Sequence, residues 1–471
     1  MLPIKEIYEI YPSVIPADQR VEMTIAPAER AFIFFENAEY TVSVASIDFD
    51  EPSYYDSSAK KSFSATAHGG VIKFEYTFEG EQEHLIILEK DGVQVERFFV
   101  YSLYEDLYST RPMKGDFHSH SYRSDGQRDP AALAGHYREQ GYDCHALTDH
   151  NRFYPGGEID EAYAGVNTGL LRIPGEEVHV PGITAHIVHV GGKESVCEKY
   201  CKDTEKFNSE IEEYIKKVPS DIPEKYSERY ARAMWATDKI HEAGGIAIFA
   251  HPFWRPKNLV HNVCDELAKI FLRSGMFDAY EVVGGIDQFA NNRSLALWND
   301  IRAEGIDIPA VASSDVHVIN NSTHFPFKYT IVFARENTVD AVVCAIKDGK
   351  CVAVESSGND EYTREKRGYG KLRYVSYAQF LLKCFFPKYE RMCEGGGVAM
   401  RAYVMGDAPG ALVELSAELA ERFRLRFFGG IAPLCPTADI LAFEDKWRDV
   451  HMNGPLTKGS GLKSEKPTRQ I

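Results

Sequence analysis

The chain has no C-x-x-C pair, and its nine cysteines are an odd number scattered over 471 residues, Cys197 and Cys201 being the closest two. That excludes a paired zinc-ribbon pattern and argues against a disulfide framework, so the cysteines are read as reduced thiols, mostly in the core. No window approaches the ~18 to 20 apolar residues of a membrane span. The opening MLPIKEIYEIYPSV lacks the basic segment and apolar run of a secretory signal, so no membrane partner and a cytoplasmic location are expected. There is no internal repeat, and positive charge is scarce: 53 Lys and Arg stand against 70 Asp and Glu, for a net charge of -17. The deficit is uneven, with 35 against 57 through residue 360 and 18 against 13 from residue 361 onward. Long-range attraction to nucleic acid is therefore unfavourable, and no long nucleic acid is expected as a partner. Part of the acidic excess could be offset by bound divalent cations.

Hydrophobic residues make up 44% and aromatic ones 12% of the chain, enough for a sizeable core in more than one domain. Residues 1–110 read as strands (RVEMTI, AFIFFE, YTVSVASIDF, VIKFEYTF, HLIILEK, VERFFVY) broken by turn signals, the pattern of a small antiparallel, immunoglobulin-like β-sandwich. Residues 111–358 alternate short apolar strands with amphipathic stretches such as 130–140, 226–243, 262–273, 292–304 and 338–347. This predicts an α/β domain with a largely parallel sheet, and a barrel would bring many strand ends to one point. Residues 359–453 read as a mainly helical extension, with amphipathic stretches over 374–392 and 411–428, suited to covering the barrel or to a homo-oligomer contact. Residues 454–471, polar and rich in Gly, Ser and Lys, read as a disordered tail.

Histidines and carboxylates gather at the predicted strand ends. In GDFHSHSYRSDG, His118 and His120 are two apart, so an extended strand turns both imidazoles to one side, and Asp125 could fold back toward them. LTDHN supplies His150. PGEEVHV supplies the adjacent Glu176 and Glu177, costly to bury without a cation. AHIVHVGG offers His186 and His189, AIFAHPFW offers His251, and VASSDVHV repeats the alternate spacing with Asp315 and His317. Most of these donors follow a short apolar run and precede Gly, Pro, Asn or Ser, as strand ends feeding functional loops do. His68, His84, His136, His145, His241, His261, His324 and His451 lack that setting and are read as structural or solvated; His179 and His189 are intermediate. A set of imidazoles and carboxylates without thiolate suits Zn, Mn or Fe and argues against a closed structural zinc site. The donors are too many for one ion, so two or three divalent ions are expected, and hydrolysis is the chemistry such a centre fits.

The ordered motifs DFHSHSYRSDG, ALTDHN, GEEV, HIVHVGG, AHP and SDVH, over about residues 113–356, resemble the PHP (polymerase and histidinol phosphatase) family of metal-dependent phosphoesterases. The resemblance implies a distorted (β/α)7 TIM-like barrel with a trinuclear centre. His118, His120, Glu177 and Asp315 would hold one ion, a bridging Glu177 with His186 and His251 the second, and Asp125, His150 and His317 the third. The family pattern Gly, any residue, Glu selects Glu177 over Glu176, and its fourth motif aligns with His186 rather than His189. It further implies a bridging hydroxide as nucleophile toward a small phosphorylated substrate, with Glu177, Asp315 and His317 as catalytic residues. Arg152 and Arg255, just past two of the motifs, could clamp phosphate oxygens.

About 110 residues precede the first motif and about 110 follow the last, unlike small-molecule PHP enzymes that begin almost at their first motif. This arrangement resembles a subgroup that includes carbamate- and ester-hydrolysing metalloenzymes, so non-phosphate esters, carbamates or amides are a second substrate class. A non-catalytic binding scaffold is a third reading.

Overall fold

A computed structural model describes residues 7–48, 60–153, 155–257, 260–319, 324–357 and 365–453; the tail expected at 454–471 lies outside the described residues. The chain divides into two units, one of residues up to Tyr104 and from Leu425, the other Glu105–Arg424.

The first unit holds β1 (Tyr8–Tyr11), β2 (Val14–Pro16), β3 (Arg20–Pro27), β4 (Glu39–Ser46), β5 (Lys60–His68), β6 (Val71–Thr77), β7 (Gln82–Lys90) and β8 (Val93–Leu103). They form one eight-stranded sheet in the order β1-β3-β6-β5-β4-β7-β8-β2, antiparallel except for β2 on β8. The expected two sheets are thus one hydrogen-bonded sheet whose halves share β5, which pairs with β4 through residues 60–66 and with β6 at 67–68. Ile25, Val42, Ile72, Ile86, Leu88 and Val100 fill its core. AFIFFE is not a strand: Arg30–Phe32 is a 3-10 turn, and Phe34 turns inward to stack on Tyr8 at 4.4 Å. Burial, which an apolar run signals, was met there without a ladder.

The second unit contains β9 (Arg111–Asp116), β10 (Cys144–Ala146), β11 (Leu171–Ile173), β12 (Gly175–Val178), β13 (His186–Gly191), β14 (Gly245–Ala250), β15 (Ala279–Val283), β16 (Ala310–Ala312), β17 (Lys328–Ala334), β18 (Cys351–Ser357) and β19 (Glu365–Tyr369). Its helices are α1 (Glu105–Tyr108), α2 (Pro130–Glu139), α3 (Pro155–Ala162), α4 (Cys197–Lys202), α5 (Thr204–Ile215), α6 (Glu224–Glu242), α7 (Asp265–Arg273), α8 (Gln288–Ala303), α9 (Val339–Lys347), α10 (Leu372–Cys384), α11 (Phe386–Val404) and α12 (Gly410–Phe427); α13 (Ala438–Asn453) belongs to the first unit. The five helical stretches read between the strands all appear, with ends shifted by up to four residues. The single stretch read over 374–392 is two helices, because Pro387 sits in the first turn of α11 and cannot continue α10.

The strands do not form one largely parallel sheet. A six-stranded sheet runs β11-β10-β9-β17-β18-β19 and a five-stranded one runs β12-β13-β14-β15-β16. Pairs β9-β10, β10-β11, β14-β15 and β15-β16 are parallel, whereas β12-β13-β14 and β9-β17-β18-β19 are antiparallel. The apolar segment LRIPGEEVHV does not run as one strand but breaks at Pro174, which has no N–H for a ladder; β11 pairs with β10 and β12 with β13. Two isolated parallel bridges join the sheets, Ser119 to Val316 just beyond β9 and β16, and His150, beyond β10, to Glu177 within β12. Among the described residues, no helix is long and apolar enough to cross a membrane.

Candidate metal centre

The donors converge because the segments that carry them are zipped together by backbone hydrogen bonds. Asp315 N donates to His118 O at 2.9 Å, His120 N to Val316 O at 2.9 Å, and Gln127 N to His317 O at 2.8 Å. The H-x-H after β9 and the D-x-H after β16 therefore lie side by side. Asn151 N donates to Glu177 O at 3.0 Å and Glu177 N to Thr148 O at 3.2 Å, which sets His150 beside Glu177. The β12-β13 register places Glu177 opposite Val188, and the β13-β14 register places His186 opposite Ala250, the residue before His251. Between the first two ligands Ser119 faces away, its Oγ 2.7 Å from His145 Nε2, so this buried histidine holds the backbone of the pair.

Glu177 is the hub. Its Oε2 lies 3.3 Å from His118 Nε2, 3.3 Å from His120 Nε2 and 2.8 Å from His150 Nδ1. Its Oε1 lies 2.7 Å from His186 Nδ1, 3.4 Å from His179 Nε2 and 3.5 Å from His251 Nε2. Asp315 Oδ1 is 3.0 Å from His120 Nε2 and 3.4 Å from His118 Nε2. At the mouth Asp125, exposed to 55%, sets Oδ2 3.4 Å from His150 Nε2 and Oδ1 3.2 Å from His317 Nε2. Its loop is tight: a Cβ on Gly126 would stand 2.2 Å from His120 O.

Three groups of donor atoms could each hold a cation: His118, His120 and Asp315; Glu177, His186 and His251; and His120, Asp125, His150 and His317. Two further groups, His118-His251-Glu281 and His150-Glu177-His179, bring in residues outside the predicted set. The nine predicted donors are thus brought together, and Glu281 and His179 join them. Both oxygens of Glu177, Nε2 of His118, His120 and His251, and Nδ1 of His150 and His186 are buried without a hydrogen-bond partner. Such atoms cost about 1–3 kcal/mol each when left unpaired, more when charged, and cations among them would satisfy them. The residues fit divalent metal.

Electrostatics agree with that fit. Burial pushes the Glu177 carboxyl up, but His118 and His186 outweigh it and hold the group well below the usual carboxylate range. Asp315 is likewise lowered, burial being outweighed by His118 and His120. Burial pulls His186 down to about 4 against the attraction of Glu177, leaving a neutral imidazole with a lone pair to give. His251 and Asp315 hold positive φ angles of 24° and 47°, and Asn151 one of 53°. Left-handed backbone at non-glycine residues is a cost accepted where surrounding structure dictates a side chain's aim.

The pocket over these donors has a volume of about 480 Å³. Trp254 forms part of its wall, ring centroid 5.6 Å from that of His186, and His179, Gly285 and His324 line it as well. The two arginines proposed as phosphate clamps are not in the lining: Arg152 is exposed, and Arg255 pairs with Asp287 at 3.6 Å. Glu176 and His189 form a separate buried pair, Oε1 to Nδ1 at 3.1 Å, with Glu176 also accepting from Ser195 Oγ and Val196 N. Sequence reading set His324 aside and passed over Glu281, whose Oε2 accepts from His118 Nδ1 at 3.0 Å. The signal was present in AYEVVGG: one carboxylate in an otherwise apolar, fully buried strand needs a partner.

No family model and no curated protein matches the chain. Among solved structures, it is similar to a two-domain protein containing a predicted PHP-like metal-dependent phosphoesterase from Bacteroides vulgatus, with 17% identity, TM-score 0.36, and 54% of this chain and 74% of that one covered. A protein from Bifidobacterium adolescentis described as a metal-dependent phosphoesterase aligns at 17% identity and TM-score 0.31, over 43% of this chain and 87% of its own. An amidohydrolase from Chromobacterium violaceum, solved with bound sulfate and no metal, aligns at 19% identity and TM-score 0.31, over 44% and 88%. All three align at low identity and low TM-score, and the geometry of this chain's own site carries the functional reading.

Proposed function

We propose that the chain is a metal-dependent phosphoesterase of small phosphate esters, a nucleotide or metabolite, built on a distorted (β/α)7 barrel whose two sheets are bridged at Ser119–Val316 and His150–Glu177. The observation that carries this reading is the Glu177 carboxylate, with three imidazole nitrogens around each oxygen. His118, His120 and Asp315 would hold one ion, His186 and His251 a second with Glu177 between them, and Asp125, His150 and His317 a third. Divalent ions there would supply Lewis acidity toward substrate oxygens and make water nucleophilic near neutral pH. The protein's own residues fix the donors: Glu281 holds the Nδ1 proton of His118, leaving Nε2 free to coordinate, and the zipped backbone prevents the ligand loops from separating. No serine, threonine, cysteine or lysine is among the described residues lining the pocket, which supports water as the attacking group. The pocket volume suits a small molecule rather than a long polymer. A cytoplasmic location and a homo-oligomer formed through either extension complete the proposal.

Purified, Mn-loaded protein assayed on a panel of phosphate monoesters and diesters tests it. Turnover that stops on chelation is expected; no turnover on any member with metal present would overturn it. One observation favours a second class of substrate: among the described residues, the lining contains no lysine or arginine for phosphate oxygens. Aryl ester, carbamate or amide turnover exceeding phosphate turnover by orders of magnitude would select that class. A scaffold without catalysis would keep less than one ion per chain.

A further inference from the structure

Glu177-x-His179 repeats the alternate spacing of His118-x-His120 and Asp315-x-His317. Val178 and Val180 are buried in the core, while Glu177 and His179 meet on the other side, His179 Nε2 standing 3.4 Å from Glu177 Oε1. The β12-β13 ladder ends with Val178 opposite Ile187, so the chain at His179 runs on beside His186. The two ring centroids are 4.0 Å apart, and that of His150 is 4.5 Å from His179.

The backbone at His179 is held from the neighbouring segment. Asn151, with its left-handed φ of 53°, donates from N to Glu177 O at 3.0 Å. Its Oδ1 accepts from His179 N at 3.4 Å and from the Tyr200 hydroxyl. One strained residue thus grips the chain on either side of Val178, which is the kind of cost accepted where a side chain must be aimed.

The aimed atom has no use within the protein. Nε2 of His179 is buried without a hydrogen-bond partner, as are both oxygens of Glu177. A nitrogen and an oxygen that face each other without a hydrogen bond are placed as two ligands of one ion are, since donors each ~2.1 Å from a shared cation stand roughly 3 to 3.5 Å apart. His150 offers a third donor: one ligand atom each from His150, Glu177 and His179 lie within 4.8 Å of one another. The ring also lines the pocket, so an ion entering there meets it.

We propose that His179 is a further metal ligand, binding through Nε2 a divalent cation that it shares with Glu177. Imidazole and carboxylate together suit Zn, Mn, Fe or Co. The assignment rests on the metal centre of the proposed function and not on its substrate.

Cobalt(II), whose visible absorption responds to the groups bound to it, is the probe. The cobalt-loaded wild type and His179→Ala are compared by absorption spectrum and by competition with a chelator of known affinity. The side chain is 31% exposed, so its truncation is expected to leave the fold intact; if it does not, His179→Gln is read in the same way. One bound ion is expected to be held at least 10-fold more weakly in the variant, since even an outer partner of a ligand is worth about 10- to 100-fold, and the cobalt spectrum is expected to change. Wild-type affinity for every ion, or an unchanged spectrum, would overturn the assignment, because a ring that only packs against its neighbours leaves the ion's own ligands as they were. If the wild type holds at least one ion per chain, that outcome removes this ligand alone. If the wild type holds less than one, the proposed function falls and the ligand with it.

Discussion

Nδ1 of His118 donates to Oε2 of Glu281 at 3.0 Å while Nε2 of the same ring faces Glu177 at 3.3 Å and Asp315 at 3.4 Å. A carboxylate behind an imidazole fixes its tautomer, aims its free nitrogen and makes it more basic. Glu281→Ala is therefore expected to lower metal affinity about 10- to 100-fold while the protein stays folded. Competition with a chelator of known affinity, alongside thermal melting, measures both.

Glu176 and Glu177 are adjacent, both buried, and differ in which way they face. Glu177→Gln is expected to abolish activity and bring metal content below one ion per chain. His189→Ala disturbs the Glu176 pair and the stack on Phe153, not the donors around Glu177, and should leave metal content near the wild type. Equal metal loss in the two variants would contradict the β12-β13 register.

Asp143 and Arg424 form a buried pair, Oδ1 to Nη2 at 2.5 Å, with Tyr389 donating to the same oxygen at 2.7 Å and Arg424 Nη1 donating to Pro112 O at 2.7 Å. Arg424→Met leaves a buried carboxylate without its cation and is expected to cost about 3–5 kcal/mol. Adding Asp143→Asn should recover much of that loss. Denaturant midpoints of the two single variants and the double variant check the coupling.

His84 is buried in the first unit, with Nε2 2.8 Å from Ser102 Oγ and Nδ1 3.2 Å from Ser46 Oγ, and burial lowers it to about 4. Its unfolded value is about 6.5. Between these values the unfolded chain binds a proton that the folded one does not, so stability falls as the pH drops from about 6.5 to about 4. The full loss is about 3 kcal/mol at 1.36 kcal/mol per unit, and the contribution is flat below that window. His84→Gln removes this contribution. Urea unfolding of both proteins between pH 7 and 4.5 should give a shallower acid slope for the variant; identical slopes would contradict the assignment.

What was legible in the sequence follows from which signals are local. His118-x-His120 and Asp315-x-His317 announce themselves because two-residue spacing after an apolar run is a local pattern, and the helices between strands carry their own periodicity. Which strand pairs with which is not local: nothing in LRIPGEEVHV but Pro174 marks where one sheet ends and another begins. β5 was missed because KKSFSATAH buries only small residues beside Phe63, a weak apolar signal. His324 escaped because HFPFK has no apolar run ahead of it, and its partner Lys328 reads as an ordinary solvated charge until the fold buries it.

The central claim is that Glu177 joins a cluster of divalent ions. Elemental analysis of the wild-type protein and of Glu177→Gln, both purified from metal-replete growth, tests it most directly. At least two divalent ions per wild-type chain and fewer than one in the variant are predicted. Fewer than one ion in the wild type, or undiminished metal in the variant, would contradict it.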